Sequence, residues 1–124
     1  MAAPNIVAVT TIYGKTAYLT PADTAANVLL ANAASSGKVL KINQIVAANV
    51  DGTNAVDCTV AINTAAAGSG TSYPIVSTVS VPADATLIVA DKTTAIYLEE
   101  DKSIVVTSGT ASKISYTISY EEIA

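Results

Sequence analysis

Few side chains in this sequence could do chemistry, and each candidate group meets a plainer reading. Glu99-Glu100-Asp101 is the densest cluster of charge. A calcium ion needs about six to eight oxygens from several loops, and no Asp-x-Asp-x-Asp-Gly loop is present to supply them. The segment reads as a solvated turn between strands. Asp51-Gly52-Thr53-Asn54 offers the same pair of readings, a metal loop or a hairpin turn, and its composition favours the turn. Glu121 and Glu122 are paired carboxylates, but glycoside hydrolysis needs two such groups facing each other across roughly 5–9 Å. Neighbours on a strand point to opposite faces, so these two read as solvated charge at a strand end. Ala67-Gly68-Ser69-Gly70-Thr71 resembles a phosphate loop only superficially. It lacks the Gly-Lys-Ser/Thr ending and a following helix, and reads as a hairpin tip.

The lone Cys58 cannot form an intrachain disulfide. It lies in the alternating run Val56, Cys58, Val60, Ile62, with no neighbouring cation to lower its pKa, and is expected to be a small buried core residue. Of six tyrosines, Tyr116 and Tyr120 fall in phase with Ile114 and Ile118 and belong to a core or an interface. Tyr13, Tyr18, Tyr73 and Tyr97 are surface candidates that could stack on a sugar.

Absences narrow the choice further. With no histidine there is no Ser–His–Asp triad, no Cys–His dyad and no imidazole zinc site. With no arginine there is no bidentate clamp for phosphate or carboxylate. Ten acidic residues against six lysines give a net charge of −4, which opposes nucleic-acid binding. No catalytic, cofactor-binding or metal-binding residue is therefore expected, and the chain is not expected to be an enzyme. No run approaches the roughly 18 apolar residues of a membrane span. Met1-Ala2-Ala3-Pro4-Asn5 lacks the basic region of a secretory signal, so synthesis in a cytoplasm is expected.

The elements that position these groups are strands. Ala, Val and Ile make up 49 of 63 apolar residues, and Phe and Trp are absent, a composition suited to β-structure. Ile114, Tyr116, Ile118 and Tyr120 alternate with Ser115, Thr117 and Ser119, a strand buried on one face. From Lys38 to Val50 the alternation slips by one at Asn43-Gln44, as a β-bulge requires. With the turn at 51–54, residues 38–63 are expected to form one long hairpin. Further strands are placed near 6–12, 16–20, 27–31, 72–81, 86–90, 95–99 and 103–108, separated by Gly-, Asp-, Ser- and Pro-rich turns. Residues 20–36 are ambiguous. Thr20-Pro21-Ala22-Asp23 could cap a helix, yet Pro21-Ala-Asp-Thr echoes Pro82-Ala-Asp-Ala, which leaves no room for one; turn-then-strand is preferred. The expectation is all-β: an antiparallel β-sandwich, jelly-roll or Ig-like, of eight to ten strands. One domain covers 1–124, with 1–24 either its first strands or an arm that adds to a neighbouring copy.

Outward strand positions carry Ala, Thr, Ser and Asn, and charged residues make up only 13% of the chain. Such a surface suits packing against copies of itself or a larger assembly. The segments Ser36–Ile42, Val46–Asn54, Val81–Leu87, Tyr97–Ile104 and Ile118–Glu122 carry a resemblance over the whole chain to small virion structural proteins of tailed bacteriophages, especially those of marine cyanobacteria. The resemblance implies a β-sandwich with a non-enzymatic place on the particle and assigns no functional residue. The function expected is a capsid decoration or cement protein stabilising the phage head. It would be a homo-oligomer, a trimer by analogy with local threefold positions, bound to the major capsid protein, with no nucleic-acid or membrane partner. A tail, neck or fibre component, or a carbohydrate-binding adhesin module, is the alternative.

Overall fold

The computed structural model describes residues 4–124. Among them are nine strands: β1 (Ile12–Leu19), β2 (Asn27–Asn32), β3 (Val39–Asn49), β4 (Val56–Asn63), β5 (Ser72–Val81), β6 (Thr86–Ala90), β7 (Ile96–Leu98), β8 (Lys102–Ser108) and β9 (Ile114–Ile123). A single 3-10 turn, Lys92–Thr94, separates β6 from β7. The strands form two antiparallel sheets. One has the order β1-β9-β3-β6, with β7 also pairing β3; the other has the order β2-β8-β4-β5. The pairs β1–β9, β2–β8, β3–β6 and β4–β5 nest like the arms of one long hairpin folded over itself. That nesting is the topology of a jelly roll, and it decides against the Ig-like option.

The inward faces meet in a core that includes Ile42, Ile45, Val60, Ile104, Tyr116 and Ile118. Cys58 is fully buried within it, as its place in the alternation requires. Desolvation, with a smaller contribution from Asp57, raises its thiol pKa, so the sulfur stays protonated and inert. The Tyr116 hydroxyl reaches a hydrogen bond to Ser108 Oγ at 3.0 Å and donates to the Thr107 carbonyl at 3.1 Å. A buried phenol thus keeps its polar end satisfied. The bulge at 43–44 is present: pairing of β3 with β9 shifts register between Ile42 and Gln44.

Two expectations are corrected. Residues 38–63 are not a hairpin, because β3 and β4 lie in different sheets. The 50–55 connection is a corner from one layer to the other. Asn49 builds it: its buried amide donates to the carbonyls of Asn54 at 3.0 Å and Val81 at 2.9 Å, while its oxygen accepts from Asp51 N at 2.8 Å. Asp51 Oδ1 in turn accepts from Thr53 N and Asn54 N, and these bonds hold its carboxyl below the usual range. The turn chemistry was legible; its direction was not. The strand expected at 6–12 is absent, because Asn5 folds the chain locally, accepting from Ala8 N through its carbonyl and from Val7 N through its side chain. Regular structure begins at Ile12 instead, and β1 pairs with β9, making it a first strand of the sandwich. The first three residues of the expected arm lie outside the described residues. Residues 27–32 are a strand, as preferred, and Asp23 explains why no helix starts. Its carboxylate accepts from Ala25 N at 3.2 Å and Asn27 Nδ2 at 2.9 Å, diverting the backbone.

Candidate interaction surface

The outward side of the five-stranded sheet is built row by row from the strand registers. Tyr18, Thr117, Val46 and Ile88 lie side by side across β1, β9, β3 and β6. Next to them run Thr16, Ser119 and Gln44, and on the other side Ser115, Ala48 and Thr86. Alternation produces these rows, since each named residue is the outward partner of a buried neighbour such as Ile118 or Ile45. The face is small and neutral, with two large exposed groups: Tyr18 is 78% exposed and Ile88 59%. The following row, Gly14, Glu121, Lys41 and Tyr97, carries one cation and one anion, placed 3.9 Å apart.

A depression of about 550 Å³ opens at the margin of this face, lined by Asn43, Gln44, Ser119, Asp91, Lys92 and Thr93. It exists because the edge of the sheet is interrupted there. β6 pairs with 45–48 of β3 and β7 with 40–42, which leaves the bulge at 43–44 without a strand on the side away from β9. The 3-10 turn fills the interval from the side. Asp91 caps that turn, accepting from Thr93 N at 2.9 Å and from the Thr93 hydroxyl, and the bonds to Thr93 keep its carboxyl below the usual value. Its carboxylate is thus committed to the backbone and ionised at neutral pH. The lining can exchange hydrogen bonds with a polar partner.

The acidic groups singled out by the sequence stay apart. Residues 99–101 join β7 to β8, with Asp101 at φ 57° accepting from Ala66 N at 3.3 Å. Glu100 has both carboxylate oxygens shielded, with no donor among the described residues. Asp51 sits in the β3–β4 corner, and 121–122 lies on β9. Among the described residues no group of three or more His, Cys, Asp or Glu gathers as a metal site would require. Glu122 differs from its expected role as solvated charge. Lys15 Nζ and Lys38 Nζ each stand 2.8 Å from one of its oxygens, tying β1, β9 and the start of β3 together. Those two bonds lower the Glu122 pKa, Lys15's first, and the same bond raises that of Lys15. No local pattern signals this meeting, because the three residues lie far apart along the chain.

The segment 67–71 is a hairpin tip, as its composition suggested, but it folds back over the four-stranded sheet. Ser103 Oγ donates to the Ala65 carbonyl at 2.7 Å, and a side chain at Gly68 would press on Val28 Cγ2 at 3.0 Å and Val105 Cγ1 at 3.3 Å. The outward Val105 and Ala61 are consequently 4% and 3% exposed. Asn63 anchors the base of the loop, accepting from Ala65 N and Gly70 N and donating to Gly70 O and Ser72 Oγ. Tyr13 and Tyr73 are exposed but belong to different sheets, so they form no joint platform.

No protein-family model matches the chain, and no curated protein matches it. Among solved structures it is similar to a chain in the structure of infectious bursal disease virus Gt strain, with a TM-score of 0.41 and 6% identity over 93% of this chain. The match spans 31% of that chain's length, and a likeness this distant carries no argument about function.

Proposed function

We propose that the chain is a virion structural protein without catalytic activity, a decoration or cement protein on the head of a tailed bacteriophage. It is made in the host cytoplasm and binds the major capsid protein as a homo-oligomer. The observation that carries this reading is the bare outer face of the five-stranded sheet, from Ser115 to Glu121 on β9 and across to Ile88. Its small side chains lose little rotamer entropy when covered. Its one close charge pair leaves no net field, so docking rests on shape, hydrogen bonds from Ser and Thr, and apolar contact at Tyr18 and Ile88. Binding of this kind should respond weakly to salt, unlike attachment through a charged patch. The resemblance of the five quoted segments to phage virion proteins supplies the setting.

The test is to add the purified protein to particles stripped of it and image them by cryo-electron microscopy. Several hundred copies spread over the shell support decoration. A few copies at one vertex would reassign the protein to neck, tail or fibre, and absence of binding would overturn the virion role. The depression at the β3 bulge favours one second reading. Its amide, hydroxyl and lysine groups suit a polyhydroxyl ligand, so glycan binding that is lost in Gln44→Ala would point to an adhesin module instead.

A further inference from the structure

We infer that β1 pairs antiparallel with β1 of a second copy about a two-fold axis through Thr16, so that two five-stranded sheets continue as one. The inference starts from the four sheet edges, three of which are blunted. β2 is six residues long and slips register between Val28 and Leu30. β5 carries Pro74, which has no N–H to donate, two register slips against β4, and Thr78 in the left-handed region at φ 50°. The third edge is divided into β6 and β7 by the 3-10 turn. β1 has none of these devices. All eight of its residues pair with β9 without a slip, so its free side presents a regular row of backbone donors and acceptors. Its one charge, Lys15, is held at 2.8 Å by Glu122 and does not guard the edge.

Among protein partners an extended strand matches such an edge best, and β1 itself has the right complement. In a two-fold pair, residues opposite each other share a face, so the axis must pass through a residue. Axes through Lys15 or Thr16 alone keep nearly the whole strand paired. An axis at Lys15 sets two ammonium groups against each other. An axis at Thr16 sets Lys15 against Ala17, Tyr13 against Leu19, and Thr16 against itself, with no like charges opposed. It also lays each Tyr18 beside Gly14 of the second copy. Gly14 has nothing within 4 Å of where a Cβ would stand, and Tyr18, on the same face, is the most exposed tyrosine at 78%. An aromatic ring across from an edge glycine fills that space.

Tyr13, Tyr18 and Ile12 are exposed by 56%, 78% and 56%, so the pair would bury about 1,000 Å² in total, at the weak end of specific interfaces. Association is then micromolar or weaker in solution and stronger where a shell holds neighbours close. A closed ring of three would need β1 to meet a different edge, and the other edges are blunted; a pair therefore takes the place of the trimer suggested by the phage resemblance.

The inference deepens the self-association in the proposed function, and its test uses the isolated full-length chain, so its failure leaves the particle-binding result standing. Sedimentation equilibrium should show a monomer–dimer equilibrium. Thr16→Lys and Thr16→Glu should each weaken the dimer at least tenfold, and mixing the two variants should restore it as a heterodimer. Thr16→Cys should give a disulfide-linked dimer under oxidising conditions, because facing Cα atoms about 4.5–5.5 Å apart suit a disulfide; Ser119→Cys, on the neighbouring strand, should not. Cys58 is buried and does not compete. A trimer, a protein that stays monomeric at millimolar concentration, or Thr16 variants that dimerise as well as the parent would overturn the pairing.

Discussion

On the four-stranded sheet, loop 64–71 lies across the outward side of β8, and Val105 beneath it is 4% exposed. On the five-stranded sheet the outward residues between Ser115 and Glu121 remain half-exposed, and Ile88 beside them is 59% exposed. The edges follow the same division. Both edges of the four-stranded sheet are irregular, whereas the five-stranded sheet ends on the unbroken β1. One sheet is covered by the chain's own loop, and the other keeps an open face and a regular edge, which are the surfaces of the proposed binding. Stability should therefore be sensitive to substitution in the core and under the loop and insensitive on the open face, while binding should show the reverse.

The largest effect is expected where the sheets meet. Tyr116→Ala removes a fully buried ring and should cost about 3–5 kcal/mol in chemical denaturation. The same residue sets a pH limit on the fold. Burial pushes its phenol up to about 12, against 10.0 in an exposed tyrosine. As pH rises from 10 to 12 the unfolded chain releases this proton and the native state does not, so stability is fully present below 10 and is lost by up to about 2–3 kcal/mol across the window. Unfolding followed at pH 9 and pH 11.5, with tyrosinate absorbance recorded beside it, checks both the loss and the late ionisation of one tyrosine. A stability curve flat over that range would separate Tyr116 from the core.

A smaller effect sharpens the contrast between the faces. Asn63→Ala leaves the amides of Ala65 and Gly70 without their acceptor and should destabilise the protein by about 1–3 kcal/mol. It should also expose the 64–71 segment to limited proteolysis, turning the covered face into a second open one. The smallest stability change belongs to the open face. Thr117→Lys should alter stability by no more than about 0.5 kcal/mol, yet reduce binding to stripped particles by placing a charge in the middle of the docking rows. If it unfolded the protein, the face would be structural rather than a surface for a partner.

Alternation of period two reports which way each side chain points, and this was enough to place β2 to β9 within a residue or two, to locate the bulge at 43–44, and to bury Cys58 and Tyr116. It also set Ser115, Thr117 and Ser119 on the face opposite the buried residues of β9, and hence part of the composition of the candidate surface. A purely local pattern cannot say which strand lies beside which. Turn chemistry at 51–54 fits a hairpin and a corner equally well, and only the buried Asn49 amide, bridging to Val81 in the other sheet, makes it a corner. Lys15, Lys38 and Glu122 meet because β1 and β3 flank β9, an order set by core packing across more than a hundred residues. The same order decides which face is covered and which edge is free. Sequence by itself determined strands β2 to β9, their alternating faces and the scarcity of charge, because these depend on side-chain type and period alone. The tertiary structure decided the nesting of strands into a jelly roll, the loop over β8 and the open edge of β1, because each is a contact between segments that no local rule brings together.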